Sequence, residues 1–441
     1  LSGTLLSPAS AGPKANGTLP DLKDYVVRED LLPFEAAEGA TAYWGVLDEA
    51  GYRIEVPDNW NGDLVMWAHG YAGTDTDILP SEPPPTFRPT LLAQGYAWAA
   101  STYSKNDYNI ATPAMETRDL AKRFAHITGE AKPGEIYLAG VSMGGNITAY
   151  SAERYKNFYT GVMPVCGVLA ERDLFDYFLD FNLVAQELGG VDQFPITADP
   201  ASAGTYLFGN VPVIKANLEA VQGGWPVALN EDGQNLKDLT EIISGGVRPN
   251  FDEGWIFWNS TFADPDGNFL FSLGIDSGTV PIEGQFNGNA DTVYQFDDDP
   301  ALSDAEAALN ASVRRVELDR LLNKDRREIP AHTGNISVPM LTMHNLGDLF
   351  VPFFNEPEYA ARVASQGDSD LLVQRAIRGV LHCDFTAAEY ETAFTDLVNW
   401  AENGVKPEGD GMDPASIAAP SYGCKFTEGD HLFAVPCGGG M

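Results

Sequence analysis

A chain of 441 residues, 44% hydrophobic and 11% aromatic, can bury a large core, and its length fits one big domain with an insertion, or two or three domains. A formal net charge of −36 repels nucleic acid and anionic membranes, which excludes both as favoured partners and suits a high-salt or exported setting. No hydrophobic run is long enough to span a bilayer. With neither an initial Met nor a basic, apolar signal at Leu1, the chain is expected to be secreted or periplasmic with its leader removed.

Residues 1–20 are small, polar and rich in Pro and Gly, and read as an N-terminal arm. Residues 52–56 alternate as a half-buried strand that ends in a turn cluster at 57–62. Residues 64–68 form a buried strand followed by His69-Gly70-Tyr71, and residues 96–100 form another. A helix is predicted over 113–128, with Leu120, Phe124 and Ile127 on one face. Residues 135–139 read as a strand, 145–153 as a helix, and 161–166 as a further strand. Continuous apolar strands separated by helices predict an α/β fold with a mostly parallel central sheet covered by helices on both faces.

The pattern breaks over residues 169–338, which is too long for a loop and reads as an inserted, mainly helical cap. It contains aromatic segments at 174–181 and 255–258 and a predicted helix near 305–324; aromatic residues at helical spacing are more often core than pocket lining. The stretch Asp264-Pro265-Asp266-Gly267-Asn268 lacks the spacing of a calcium loop and reads as a turn. The sheet resumes at 339–344 and ends at 371–377, and a closing helix covers 387–402. The core is thus 21–168 and 339–404, and residues 405–441 form a linker and tail.

Four cysteines allow three pairings. Cys424 and Cys437 lie in a tail that cannot pack firmly alone, and a bridge there would add about 3 kcal/mol by loop entropy. Cys166 and Cys383 are either a second bridge or two buried thiols. Asn-x-Ser/Thr acceptor sequences occur at Asn16, Asn259, Asn310 and Asn335.

Between the strand at 135–139 and the helix at 145–153 stands Gly140-Val141-Ser142-Met143-Gly144. A serine on such a strand-to-helix turn is lifted above the sheet edge, and the flanking glycines leave room for the tight backbone. Its hydroxyl is a weak nucleophile unless an imidazole accepts the proton, and that imidazole needs a carboxylate on its other nitrogen. Of six histidines, His382 follows the last strand and precedes the last helix, at the rim where Ser142 emerges. His344 ends a strand and is the competitor; His126, His332 and His431 read as surface or packing residues, and His69 as shaping its turn. Asp348, a few residues beyond a strand and freed by Gly347, is the expected acid, with Asp384 too near His382 to reach across its ring. The amides of Met143, at a helix start, and Tyr71 are expected to hold the oxyanion.

These residues resemble the α/β-hydrolase superfamily: His69-Gly70 after an early strand, the Gly140–Gly144 elbow, then Asp348 and His382 in the order Ser, Asp, His. The resemblance covers residues 45–168 and 339–404 and implies an acyl-enzyme on Ser142 that is hydrolysed by water activated at His382. The His382-Cys383 pair also resembles tannases and feruloyl esterases, in which a second cysteine precedes the serine and bridges to the first; here Val141 holds that place. The implied activity is hydrolysis of a small-molecule or polymeric carboxylic ester, with no cofactor or metal required. A prolyl or tripeptidyl-aminopeptidase, using cap acids such as Asp297-Asp298-Asp299, and a polyester or polyhydroxyalkanoate depolymerase are the alternatives. A non-catalytic binding protein would have no need of the Ser142, Asp348 and His382 set.

Overall fold

The computed structural model describes residues 24–192, 200–273, 288–317 and 329–437; the predicted arm at 1–20 lies outside them. Apolar side chains alternate between two cores. In strand β3 (Leu64–Ala68), Leu64, Met66 and Ala68 enter one core while Val65 and Trp67 enter the other, so the strand is buried throughout. The same holds for β4 (Ala97–Ser101), β6 (Gly161–Val165) and β7 (Met340–Asn345), whose residues are all buried. With β1 (Ala40–Leu47), β2 (Ala50–Pro57), β5 (Ile136–Val141) and β8 (Leu372–Ile377) they make an eight-stranded sheet of spatial order 1-2-4-3-5-6-7-8. Only the β1–β2 and β2–β4 pairings are antiparallel.

Strand β1 had no counterpart in the sequence reading. Its burial alternates between exposed and half-buried, as at an edge, and Trp44 and Val46 face solvent. Helix α1 (Ala111–Thr128) places Leu120 and Phe124 in the first core and is ended by Gly129 in the left-handed conformation. Helix α2 (Met143–Arg154) packs on β5 and β6, and the closing helix α7 (Ala387–Asn403) lays Phe394, Leu397 and Trp400 over the opposite face. A capping box of Thr386 and Glu389 starts α7.

Between β6 and β7 the regular elements among the described residues are helices, apart from one isolated antiparallel bridge, Glu219 to Leu229. The predicted aromatic segment lies on α3 (Asp173–Leu188), where Phe175, Phe178 and Phe181 are buried. The segment at 255–258 lies on α4 (Phe251–Trp258), with Trp255 and Trp258 also buried. The helix expected near 305–324 is shorter: it spans Asp304–Ser312, is capped by Ser303 and Glu306, and turns extended at Val313; residues 318–328 lie outside the described set. The Asp264–Asn268 stretch is a turn, with the Lys215 ammonium on Asn268 Oδ1 at 2.7 Å.

Candidate active site

Backbone contact, more than conformation, dictates the glycines around Ser142. A Cβ on Gly144 would sit 2.0 Å from the Ala68 carbonyl oxygen, one on Gly140 2.4 Å from the Gly144 oxygen, and one on Gly145 2.5 Å from Gly167 Cα. Helix α2 therefore presses directly on β3 and β5. The strain falls on Ser142, at φ 57° and ψ −122°, a region that side chains avoid. Its amide donates to the Val165 carbonyl at 3.0 Å, and its carbonyl accepts from Gly145 at 2.9 Å. Met143 is the first helical residue, so its amide has no intrahelical acceptor.

The register pairs Ala68 with Gly140, which brings the following His69-Gly70-Tyr71 loop beside the elbow. A Cβ on Gly70 would lie 3.2 Å from Ser142 Cβ. His69 serves this loop: its Nδ1 meets the Gly70 oxygen at 2.7 Å and its ring stacks on Tyr103 at 4.0 Å. Burial lowers its pKa and keeps it uncharged.

Asp348 is fully buried and joined to His382, with Oδ2 2.6 Å from His382 Nδ1. Its Oδ1 accepts from the amides of Phe350 at 2.9 Å and Val351 at 3.1 Å. As an acceptor facing Nδ1, the buried Oδ2 fixes the imidazole with its proton on Nδ1 and its lone pair on Nε2. His344, the competing base, is buried and turned away: Nε2 meets the Val351 oxygen at 2.7 Å and Nδ1 meets Glu356 at 3.3 Å. Burial alone would lower its pKa; the hydrogen bond and charge of Glu356, with Asp348 adding, raise it. Asp384 does not bond His382 through its side chain but bonds His431 at 3.1 Å.

Three attachments that the sequence reading did not assign hold these loops. Asn345 Nδ2 donates to the Asp384 carbonyl at 2.9 Å, while its Oδ1 accepts from the Asp384 amide at 3.1 Å, so one side chain binds the His382 loop as a strand would. Trp258 Nε1 lies 3.1 Å from both the Gly347 and the Val380 carbonyls. Buried Arg248 donates to the Leu346 carbonyl at 2.8 Å. A strand-end asparagine and a tryptophan in an aromatic cluster were visible signals; nothing marked Arg248. Around His382 the ring of Phe350 lies edge-on at 5.0 Å and is backed by Phe269 at 5.3 Å and Trp258 at 6.4 Å.

Cys166 and Cys383 form a disulfide, as do Cys424 and Cys437. Val165 pairs with Val141, so Cys166 directly follows the strand beside the elbow rather than preceding the serine in sequence. The bridge thereby ties the elbow's neighbour to the residue after His382. Cys166, His382 and Cys383 bring their ligand-type atoms within 4.8 Å of one another, but the two sulfurs are bonded together and supply no thiolate.

The strand order, with a strained serine after the fifth strand and a carboxylate and histidine after the seventh and eighth, defines an α/β-hydrolase fold. No protein-family model matches the chain. It is 20% identical over 427 residues to an o-phthalyl amidase of Xanthobacter agilis, spanning 85% of this chain and 90% of that protein. Among solved structures it is similar to feruloyl esterase B from Aspergillus oryzae, with 13% identity, 86% and 84% of the chains covered and a TM-score of 0.46. A second esterase from Aspergillus oryzae gives 15% identity, 84% and 82% coverage and a TM-score of 0.42.

Proposed function

We propose that this chain is a serine hydrolase that cleaves carboxylic esters through an acyl-enzyme on Ser142. The observation that carries the reading is the 2.6 Å contact of His382 with buried Asp348, on loops that leave the same sheet rim as the strained Ser142. His382 Nε2 takes the Ser142 proton as Oγ attacks the acyl carbon, and Asp348 balances the imidazolium. The amides of Met143 and Tyr71 receive the oxyanion, and one such donor is worth about 3 kcal/mol. The imidazolium returns its proton to the leaving alkoxide. Water, deprotonated by the same nitrogen, then releases the acid. The segment 169–338, mainly helical where it is described, acts as the cap, and its Trp258 and Phe269 back Phe350 in an apolar wall over His382. Two disulfides support an oxidising setting outside the cytoplasm.

A second reading, amide hydrolysis by the same residues, is favoured by the amidase that this chain matches over 90% of its length. The test is a panel of nitrophenyl esters of increasing acyl length beside aryl anilides and an o-phthalyl amide, with Ser142→Ala in parallel. Ester cleavage lost in the variant, with amides untouched, supports the esterase. Amide cleavage of comparable efficiency, also lost in the variant, moves the assignment to an amidase. Cleavage that survives Ser142→Ala removes both.

A further inference from the structure

We propose that His431, in the C-terminal disulfide loop, is a positioning residue that holds the loop carrying His382 in its working place. The inference rests on His382 being the base of the reaction.

The base loop, residues 378–386, is gripped from three sides. Asn345 holds the backbone of Asp384 from the acid strand, and Cys166 holds Cys383 from the strand beside the elbow. The third grip comes from the tail. His431 places Nδ1 3.1 Å from Asp384 Oδ2 and Nε2 2.9 Å from Glu389 Oε1, with its side chain only 1% exposed. Asp384 lies two residues after His382, and Glu389 is the capping-box residue of α7, whose Oε2 accepts the Thr386 amide at 2.8 Å.

A neutral imidazole has one N–H, so it would turn a lone pair toward one of these carboxylates. Facing a carboxylate on each nitrogen, His431 fits the doubly protonated form. The titratable groups around it are Asp384 from the base loop, Glu389 from α7 and Glu428 of its own loop, whose amide shares Glu389 Oε1 at 2.9 Å. Burial alone would lower the His431 pKa; the hydrogen bonds and charges of Asp384 and Glu389 outweigh it and raise the pKa to about 9.

The remainder of the loop is fastened well enough to transmit this hold. The Cys424–Cys437 bridge closes it, and Thr386 Oγ1 donates to the Glu428 carbonyl at 2.9 Å. The Arg378 amide donates to Thr427 Oγ1 at 2.8 Å, so the loop touches both ends of the base loop. On its other side Phe433 packs on Phe257 and Phe262 of the cap at 5.1 and 5.0 Å. Discharging His431 leaves Asp384 and Glu389 facing each other across an uncharged ring, which pushes Asp384, and with it His382, out of place.

The experiment compares the full chain with His431→Gln and Asp384→Asn, disulfides intact, on one nitrophenyl ester from pH 6 to pH 10.5, with Ser142→Ala and thermal melts alongside. The expected result is a fall in kcat of about tenfold in each variant with KM nearly unchanged, inside the ~10²-fold that a 1 Å misplacement can cost. The parent's kcat should also fall as pH rises through about 9, and this limb should vanish in His431→Gln. Should His431→Gln fail to fold, Asp384→Asn, which removes the charge on the other side of the contact, carries the comparison. Parental kcat and a parental alkaline limb in the folded variants overturn the proposal, even with a lowered Tm, since a merely structural residue would move only Tm. Activity that survives Ser142→Ala overturns the reading of the site and this inference with it, whereas an inactive Ser142→Ala beside a parental His431→Gln overturns this inference alone.

Discussion

At the scale of single residues, the proposed chemistry depends on one tautomer and one strained turn. Replacing Asp348 with Asn keeps the shape but presents an amide that can donate where the carboxylate accepted, so His382 loses the Nδ1 proton orientation. We expect Asp348→Asn to lower kcat by about 10⁴, read by steady-state ester hydrolysis, with the far-ultraviolet circular dichroism of the parent. Gly144 offers a stability test of the elbow. Its Cβ would meet the Ala68 oxygen at 2.0 Å, a contact that neither backbone can relieve without parting helix from sheet. Gly144→Ala should therefore lose more than the ~1–3 kcal/mol of an ordinary overpacked site, measured by denaturant unfolding. Ser142, Asp348 and His382 were visible in the sequence because each follows a strand at one rim. Arg248 was not, and Asn345 showed only its place at a strand end, because their work is to bind carbonyls and amides of another loop, and local sequence does not say which loop lies opposite.

At the scale of elements, the Asp348 turn, the His382 loop and helix α4 form one unit. Trp258 joins Gly347 and Val380, and Gly254 lies so close beneath that a Cβ there would be 2.4 Å from the Gly347 oxygen. Trp258→Phe keeps the apolar bulk and removes the indole donor, leaving two buried carbonyls short of a partner at about 1–3 kcal/mol. We expect lowered stability and a lowered kcat together, separating this residue from a pure substrate contact, which would change KM alone. The Cys166–Cys383 bridge closes 217 residues, for which loop entropy gives about 5 kcal/mol. The alternating and continuous apolar strands were legible because burial on one or both faces writes its period into the chain. The edge strand β1 was not, since Ala40–Leu47 is half-exposed and carries Gly45 in its interior. Likewise the tail's contact with the His382 loop spans 47 residues and left no periodic trace.

At the scale of the whole molecule, the 63 acidic residues and several buried carboxyls act on stability in the same direction. Burial raises Asp180 to about 7, although its hydrogen bond from Tyr294 opposes the shift, and raises Asp176 to about 6. Both carboxyls have ordinary values near 3.8, so the folded chain keeps protons that the unfolded chain has released. Their contribution is complete below about 3.8 and is lost as pH rises through about 6 and about 7. His431 follows the same sign at higher pH, its contribution complete below 6.5 and lost through about 9. Rising pH also charges a surface already at −36, which strengthens self-repulsion. Carboxylates held below their usual range, such as Glu55, where the hydrogen bonds led by Arg88 outweigh burial, set the opposite limit in strong acid. Melting curves should therefore give a higher Tm near pH 5.5 than near pH 8.5. Added salt separates the contributions. Raising NaCl from about 0.1 to 1 M shortens the screening length from about 10 to 3 Å, which removes the surface repulsion but leaves the buried groups largely untouched. The pH difference in Tm should narrow with salt yet persist, and Asp180→Asn should reduce the part that persists. A difference that disappears entirely in 1 M salt would assign the whole effect to the surface and none to the buried carboxyls.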